Sequence, residues 1–304
     1  MPLAPQTATC GAIDLGGTKI EARLFGPGME TLASHRLPTP RGGFTTFLDA
    51  LAAQVRWIEA EALSDSLPIA IALPGIIDPQ TGHVSAANIP TGEHSLAAAM
   101  AARIGRRLPL VNDAMAFAWS EAHGGAGAGA STVLGLILGT GVGAGVVVDG
   151  RLPVRHGGLA VEIGHTGMPA RALLRHALPL WPCGCGRAGC VESYISGPGL
   201  VRLCEHAGLG PLSPEAAAHE PRALALWADL VGEVLATAQL MFDPQVIVLG
   251  GGLSMLPDAA ALLTAALDRL RLPAARMPVI RLARHGDSSG ARGAAMLARD
   301  GLIS

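Results

Sequence analysis

Three cysteines lie within eight residues of one another, and this cluster constrains the chain more than any other sequence feature. Cys183, Cys185 and Cys190 supply three thiolates, and the glycines between them allow a tight loop. His165 lies 18 residues before the first of them. Three sulfurs and one imidazole make a closed tetrahedral site of the structural kind, since four protein ligands leave no open position. We predict a structural Zn²⁺ ion here; a set of buried free cysteines is the alternative.

The other cysteines and the composition indicate the cellular compartment and the kinds of partner to expect. Cys10 and Cys204 are interpreted as packing residues, so the odd total of five cysteines does not indicate a disulfide framework. Half of the 304 residues are hydrophobic and the net charge is −2, which favours neither a disordered chain nor a nucleic-acid partner. The most apolar run, residues 133–148, is interrupted by glycines, and residues 1–10 lack a secretory signal. We expect a cytoplasmic protein without a membrane partner.

Strands and helices alternate along the chain, which predicts an α/β fold. Residues 11–14 and 20–25 are predicted strands joined by a Gly-rich turn, and residues 132–137 and 145–148 repeat this plan. Such repetition is the weak internal symmetry that two duplicated halves leave. Residues 124–129 are all glycine or alanine, with no large side chain to hold them, so we predict a hinge there.

Three Gly-rich turns follow apolar strands and are interpreted as nucleotide-binding loops. Phosphate oxygens need closely spaced N–H donors, and glycine lets the backbone approach them. Any one turn alone is more often an ordinary hairpin, but three of them favour a nucleotide site. The patterns match neither a Walker loop nor a dinucleotide-binding fingerprint. The predicted nucleotide-binding residues are Asp14, Gly16, Gly17, Thr18, Lys19, Gly139, Thr140, Gly141, Val142, Gly143, Gly251 and Gly252.

Two polar residues of the first turn have specific predicted roles. Asp14 ends the first strand, where its carboxylate is well placed to hold Mg²⁺, through water. Lys19 is the only lysine in the chain. Codon bias explains the many arginines, and the one retained lysine suggests a chemical role such as a phosphate contact.

Asp113 is the candidate general base. It follows a predicted strand, residues 108–111, and begins a helix, so it lies where ligands bind in α/β folds. Helix capping by Asn112 or Asp113 is the alternative explanation. Transfer of a phosphoryl group to a hydroxyl needs one carboxylate that orients and deprotonates the attacking oxygen.

Two glutamates flank the cysteine cluster. Glu162 stands in the segment Glu162-Ile163-Gly164-His165, and Glu192 follows Cys190 by two residues. A lone glutamate near a loop is normally a solvated charge. A pair that brackets a metal loop can instead face a shared pocket and accept hydrogen bonds from sugar hydroxyls.

With these residues placed, the chain resembles the ROK family (repressors, open reading frames and sugar kinases), which has the sugar kinase/actin-like, ribonuclease H-like fold. The resemblance runs nearly end to end, and its cysteine motif is highly specific. The matching segments begin at Asp14 (DLGGTK), Leu73 (LPG), Ala87 (AN), Asn112 (NDA), Leu138 (LGTGVG), Glu162 (EIGH), Cys183 (CGCGRAGCVE) and Ser196 (SG).

The resemblance implies an ATP-dependent sugar kinase that uses Mg²⁺ and phosphorylates the 6-hydroxyl, with Asp113 as base. It implies two domains with a cleft that closes on substrate, one comprising residues 1–113 with a helix at about 288–304, the other residues 114–287. It also implies a homodimer. The implied sugar-binding residues are Asn88, Asn112, Asp113, Glu162, His165 and Glu192. The implied zinc ligands are His165, Cys183, Cys185 and Cys190.

The sugar itself is left open by the sequence. The segment Ala86-Ala87-Asn88-Ile89-Pro90 and the doublet Cys-Gly-Cys-Gly resemble family members that act on N-acetylglucosamine. The tracts at residues 37–41 and 285–290 resemble the fructokinases of the family. Those enzymes carry a tryptophan after the asparagine that matches Asn88. This chain does not, which leaves more room for an acetamido group and favours N-acetylglucosamine over fructose or glucose.

Two alternative functions belong to other classes of protein. The family includes sugar-responsive repressors with an added N-terminal DNA-binding element, and a first phosphate turn at Asp14 leaves no room for one in this sequence. A zinc-binding interaction module without catalysis is disfavoured by the retained Asp113 and the complete glycine turns.

Overall fold

The computed structural model describes residues 7–86 and 89–303. The strands are β1 (Cys10–Leu15), β2 (Lys19–Phe25), β3 (Thr31–Pro38), β4 (Ile69–Leu73), β5 (Ile76–Ile77), β6 (Val84–Ser85), β7 (Leu110–Asn112), β8 (Thr132–Leu138), β9 (Val142–Val148), β10 (Val246–Gly250) and β11 (Val279–Leu282). The helices are α1 (Phe44–Ala62), α2 (Leu96–Ile104), α3 (Asp113–Ala122), α4 (Ala170–Arg175), α5 (Glu192–Ile195), α6 (Gly197–His206), α7 (Pro214–Ala217), α8 (Pro221–Phe242), α9 (Ala259–Leu270) and α10 (Ser289–Arg299). The predicted α/β class is confirmed.

The chain forms two compact units. Unit one comprises the described parts of Met1–Ser120, Val154–Ala160 and Ser288–Ser304. Unit two comprises Glu121–Pro153 and Val161–Asp287. The domain division expected from the sequence, at residues 113 and about 288, stays a prediction.

Unit one contains a five-stranded sheet in the order β3-β2-β1-β4-β7. The hairpin β1–β2 is antiparallel, whereas β4 runs parallel to β1 and β7 runs parallel to β4. Since the carboxyl ends of parallel strands share one edge of a sheet, Asp14 on β1 and Asp113 just after β7 come to the same edge. The order of the strands therefore assembles a site from distant parts of the sequence.

Helix α1 closes the core of unit one. Its buried residues Phe47, Leu51, Val55 and Ile58 recur every three or four positions and so form one face. They share a hydrophobic core with the β1–β2 hairpin. The helix ends at Ala62, and Leu63 caps it in a left-handed conformation with φ of 51°. This packing holds the strands that carry Asp14 and the first glycine turn.

Unit two repeats the plan of unit one. Its sheet has the order β11-β10-β8-β9, in which β8–β9 is an antiparallel hairpin and β10 and β11 follow in parallel. The strands β2-β1-β4-β7 of unit one have the same arrangement. The predicted internal symmetry is confirmed at the level of topology, and each hairpin carries one predicted phosphate turn.

Helix α8 lies at the centre of the unit-two core. Trp227 is fully buried there, and its indole N–H donates to the Ile195 carbonyl at 2.9 Å. By length and composition this helix is apolar enough to cross a membrane, but 61% of the relevant window is buried inside the protein. That burial is typical of a core helix.

The segment 124–129 differs from its prediction as an unheld hinge. The buried Glu121 carboxylate accepts from the Ala126 N–H at 2.8 Å and from the Arg284 N–H at 3.0 Å. The Arg281 side chain donates to the Ala126 carbonyl at 2.8 Å. A Cβ on Gly125 would lie 2.3 Å from a Glu121 oxygen. The premise of an unheld segment is therefore wrong, because side chains from elsewhere hold it and at least one glycine serves close approach.

Candidate active site

The first glycine turn joins β1 to β2 and is closed by a hydrogen bond from the Gly16 N–H to the Lys19 carbonyl at 2.9 Å. Gly17 and Thr18 form the tip between these residues. Backbone groups at such a tip are close together and suit phosphate oxygens. The structure thus places Gly16, Gly17, Thr18 and Lys19 in one tight turn, which begins two residues after Asp14.

Lys19 belongs to an ionic cluster around the buried Glu21. Its ammonium lies 3.6 Å from a Glu21 oxygen, and Arg23 and Arg36 each approach that carboxylate to 2.6 Å. Burial opposes ionisation of Glu21, but the three cations together hold its pKa below the usual value. The positive charge of Lys19 is therefore shared with Glu21, and a phosphate contact by Lys19 stays a prediction.

Asp14 has an unusual electrostatic environment. Burial, followed by repulsion from Asp113, raises the pKa of Asp14 to about 6. Two carboxylates held together at the end of a sheet destabilise each other when both are ionised. A divalent cation would relieve that repulsion, so the pair fits the predicted Mg²⁺ role of Asp14.

Asn112 and Asp113 both take part in the start of α3. The Asn112 carbonyl oxygen accepts from the N–H groups of Ala114 and Met115 at 3.0 and 3.1 Å. Its amide donates to the Gly75 carbonyl at 3.1 Å. Asp113 Oδ1 accepts from the Ala114 N–H at 2.8 Å. Both residues therefore cap the helix, as the alternative explanation predicted. Asn112 accepts two of the backbone N–H groups and Asp113 accepts one. Sugar binding by Asn112 stays a prediction, and Asn88 lies outside the described residues.

The second glycine turn is shorter than expected. Gly139, Thr140 and Gly141 form the loop, which is closed by the Gly139 N–H and the Gly141 carbonyl at 3.0 Å. Val142 and Gly143, which were predicted as part of the loop, belong to strand β9.

Glu192 holds this turn. One of its carboxylate oxygens accepts from the Val142 N–H at 2.9 Å, and a Cβ on Gly141 would lie 2.5 Å from the same oxygen. The Gly197 N–H donates to the Gly139 carbonyl at 2.8 Å. A residue predicted to bind sugar thus contacts a loop predicted to bind nucleotide. This link could not be read from the sequence, in which the two residues are 50 positions apart.

The third glycine turn ends β10. Gly251 has φ of +80°, and a Cβ there would lie 2.4 Å from the Leu138 carbonyl oxygen, so the position favours glycine on both counts. Gly252 begins a short 3₁₀ turn. The third turn therefore packs against the end of β8. The second glycine turn begins at the residue that follows β8.

The four predicted zinc ligands come together in unit two. The ligand atoms of His165, Cys183, Cys185 and Cys190 all lie within 4.8 Å of one another. Cys185 Sγ and Cys190 Sγ are 3.6 Å apart, and Cys183 Sγ is 3.7 Å from His165 Nδ1. A tetrahedron with Zn–S bonds of about 2.3 Å has edges of about 3.8 Å, so the donor set fits a structural Zn²⁺.

The charges around the cysteines agree with a bound cation. Hydrogen bonds from Arg187 lower the pKa of the Cys185 thiol, which favours the thiolate that metals bind. Burial raises the pKa of Cys190, so a thiolate there needs a cation for compensation.

Short backbone hydrogen bonds join the His165 segment to the cysteine loop. The Met168 N–H donates to the Gly189 carbonyl at 2.8 Å, and the Val191 N–H donates to the Thr166 carbonyl at 2.9 Å. His165 directs Nδ1 towards Cys183, which leaves Nε2 for another partner. Glu162 directly precedes the 3₁₀ turn that carries His165.

Two units of the same sheet topology, each with an antiparallel glycine hairpin followed by parallel strands, define the actin-like ATPase fold of the sugar kinases. A family model, described as "ROK family", matches residues 10–301. The chain belongs to the ROK family.

Related proteins agree in length as well as in sequence. The chain is 39% identical to an N-acetyl-D-glucosamine kinase of Escherichia coli, covering 93% of this chain and 97% of that one. It is 37% identical to the N-acetylgalactosamine kinase AgaK of Shewanella sp. (strain ANA-3), covering 94% and 95%.

Solved structures show the same fold. A ROK hexokinase from Thermus thermophilus has a TM-score of 0.81 at 33% identity, covering 96% of this chain and 98% of that chain. A ROK family glucokinase from Streptomyces griseus, in complex with glucose and AMPPNP, has a TM-score of 0.79 at 29% identity, covering 96% and 99%.

We expect Asp14→Asn to stabilise the protein in the absence of metal while it abolishes metal-dependent turnover. The pKa of Asp14 is raised from 3.8 to about 6 in the folded state, so its contribution to stability is fully present below pH 3.8 and is lost as the pH rises through about 6. Removing the charge should add about 1 to 3 kcal/mol at pH 7.5, or several degrees in Tm.

Thermal unfolding without Mg²⁺ at pH 5 and pH 7.5 measures this effect. The variant should gain stability at pH 7.5 and about half as much at pH 5, because pH 5 lies between the usual pKa of 3.8 and the raised value of about 6. Asp65→Asn, at an exposed loop position, serves as the matched control and should change neither value. A destabilised Asp14→Asn at pH 7.5 would contradict the repulsion between Asp14 and Asp113.

Proposed function

We propose that this protein transfers the γ-phosphoryl group of ATP to the 6-hydroxyl of an N-acetylhexosamine, with N-acetyl-D-glucosamine as the preferred sugar. The observation that carries the proposal is the pair of carboxylates at one sheet edge, Asp14 and Asp113, beside a tight glycine turn. One carboxylate suits a metal–phosphate complex and the other suits the attacking hydroxyl. The named activities of the two curated relatives support the class of sugar.

In the proposed reaction Asp113 takes the proton of the sugar 6-hydroxyl. The sugar oxygen forms a bond to the γ-phosphorus as the bond from that phosphorus to the ADP oxygen breaks. Asp14 would hold Mg²⁺, which supplies charge neutralisation at the phosphates when bound. Backbone N–H groups of the two glycine turns would meet the phosphate oxygens, and Gly251 and Gly252 would pass beside the adenosine.

Five residues are proposed to contact the hydroxyls of the sugar: Asn88, Asn112, Glu162, His165 and Glu192. The structural Zn²⁺ would fix His165 through Nδ1 and leave Nε2 for a hydroxyl, while it holds the loop that leads to Glu192. These roles rest on the family motifs together with the clustering of His165 and the cysteines.

ATP consumption with a panel of sugars tests this function and orders the alternatives. N-acetylglucosamine should give the highest kcat/KM, followed by N-acetylgalactosamine or N-acetylmannosamine. A higher value with glucose or fructose would instead assign a glucokinase or fructokinase. Sugar binding without any transfer would favour a sugar-sensing regulator. The sequence between Asn88 and Trp119 contains no tryptophan, which supports a sugar with an acetamido group.

A cytoplasmic location and a homodimer are part of the proposal. Thiolate zinc ligands suit a reducing compartment, and the resemblance to the family implies a dimer. Light scattering of the purified protein would measure its mass in solution against the 30.9 kDa of one chain.

A further inference from the structure

Thr39 contacts the first glycine turn through both its backbone and its side chain. Its N–H donates to the Thr18 carbonyl at 3.0 Å, and its hydroxyl donates to the Gly16 carbonyl at 2.6 Å. The residue is only 8% exposed, and it follows the end of β3, 23 positions after Gly16 in the sequence. A buried threonine therefore binds two of the carbonyls of a loop that is proposed to hold phosphate.

These two hydrogen bonds fix the orientation of the turn. In a trans peptide the N–H points opposite to the C=O of the same unit. The Gly16 carbonyl shares its peptide with the Gly17 N–H, and the Thr18 carbonyl shares its peptide with the Lys19 N–H. When Thr39 draws both carbonyls to its side, the N–H groups of Gly17 and Lys19 are directed to the opposite side of the turn.

The sequence around Thr39 makes it rigid. Pro38 and Pro40 flank it, and a residue before proline is confined to extended conformations. Pro38 is also paired with Lys19 at the end of the β2–β3 ladder. Thr39 is thus held in place before any ligand binds, and so are the carbonyls that it contacts.

We propose that Thr39 is a positioning residue that orients the first glycine turn for the phosphates of ATP. The proposal rests on the proposed kinase function and adds to it a residue that would act through the backbone of the turn. Thr39 should affect nucleotide affinity and leave sugar affinity unchanged. Glycine turns without such a contact would have to order themselves on binding, at a cost in affinity.

The experiment compares Thr39→Val with Thr39→Ser and Thr9→Val. Valine keeps the shape of threonine and removes the hydroxyl, whereas serine keeps the hydroxyl. Thr9 is the matched control, because its hydroxyl donates to the Gly26 carbonyl at 3.1 Å at the open end of the same β1–β2 hairpin. Any effect of losing one hairpin hydrogen bond on stability should appear in both valine variants.

Thr39→Val should raise the KM for ATP by roughly five- to tenfold, as expected for one lost hydrogen bond of about 1 to 1.4 kcal/mol, with the KM for the sugar unchanged. Thr39→Ser should return the ATP value to within about twofold of wild type. Thr9→Val should lower Tm by a similar amount and change neither KM. Pro40→Ala, which retains the hydroxyl and frees the backbone, should raise the ATP KM by about two- to fivefold.

An ATP KM that is unchanged in folded Thr39→Val would overturn the proposal. So would an equal rise in both KM values, or a rise in Thr9→Val of the same size. If the wild-type protein transfers no phosphoryl group, the proposed kinase function fails, but the role of Thr39 can still be tested. The affinity of each variant for AMPPNP is then measured by titration in the presence of Mg²⁺. Weaker AMPPNP binding by Thr39→Val alone would then support the role of Thr39, and equal binding by all variants would refute it.

Discussion

Asp113→Asn is expected to lower kcat by about 10²- to 10⁴-fold, because the amide cannot accept the proton of the attacking hydroxyl. The KM for ATP should change little, since the glycine turns remain intact. Tm should be equal to or above that of wild type, because Asn removes the Asp113 charge, which adds to the effect of burial in raising the pKa of Asp14. Loss of activity together with unchanged or higher stability is the combined signature.

The Asn substitution is well matched to the local structure. Asp113 Oδ1 accepts from the Ala114 N–H at 2.8 Å, and an Asn oxygen can accept the same bond. Asp78→Asn is the control, because Asp78 Oδ1 likewise accepts a backbone N–H, from Gln80 at 2.8 Å, at an exposed turn of unit one. Steady-state kinetics of both variants, with zinc content and thermal unfolding measured in parallel, give the comparison. Turnover of Asp113→Asn within about tenfold of wild type would refute the base assignment.

Removal of the zinc site is expected to weaken sugar affinity more than ATP affinity. His165 is a proposed zinc ligand and Glu192 lies two residues beyond Cys190, so both proposed sugar contacts depend on the loop. Cys185→Ser, which changes an exposed ligand, should lose bound zinc and raise the sugar KM by roughly 10- to 100-fold. The ATP KM should rise by only a few-fold, through the single Glu192–Val142 hydrogen bond.

Metal analysis and kinetics of Cys185→Ser measure this difference. Cys204→Ala is the control, since Cys204 is a buried cysteine of the same unit and is not one of the four clustered ligands. It should retain zinc and the sugar KM even if the lost packing lowers Tm. An equal rise of both KM values in Cys185→Ser would mean that the metal serves the fold alone.

Much of the site follows from local sequence. The cysteine spacing predicted the cluster that forms in unit two, and the strand–turn–strand segments predicted both hairpins. Those features succeed because each depends on residues close together in the chain. The edge shared by Asp14 and Asp113 also follows once the strands are taken as parallel.

The remaining contacts depend on tertiary packing. Three contacts join residues that are far apart in the sequence, and nothing in the local sequence pairs them. They are Thr39 with Gly16 (23 positions apart), Glu192 with Val142 (50) and Glu121 with Arg284 (163). The prolines on either side of Thr39 indicate from the sequence that its backbone is restrained. They do not indicate that its partner is Gly16. Strand β3 was not predicted, because its largely exposed residues show little apolar alternation.

Helix α9 was also missing from the predicted elements, although its buried residues Ala259, Leu263, Ala266 and Leu267 have helical spacing. It packs against α8 and β11 in the core of unit two. Its absence from the prediction did not alter the expected site residues.

The most direct test of the account is the identity of the reaction product. Purified protein with Mg²⁺, ATP and N-acetyl-D-glucosamine should give ADP and a sugar monophosphate in equal amounts. Phosphorus–proton correlation spectra should place the phosphate on C6. A phosphate at C1, or ADP released without any sugar phosphate, would contradict the account.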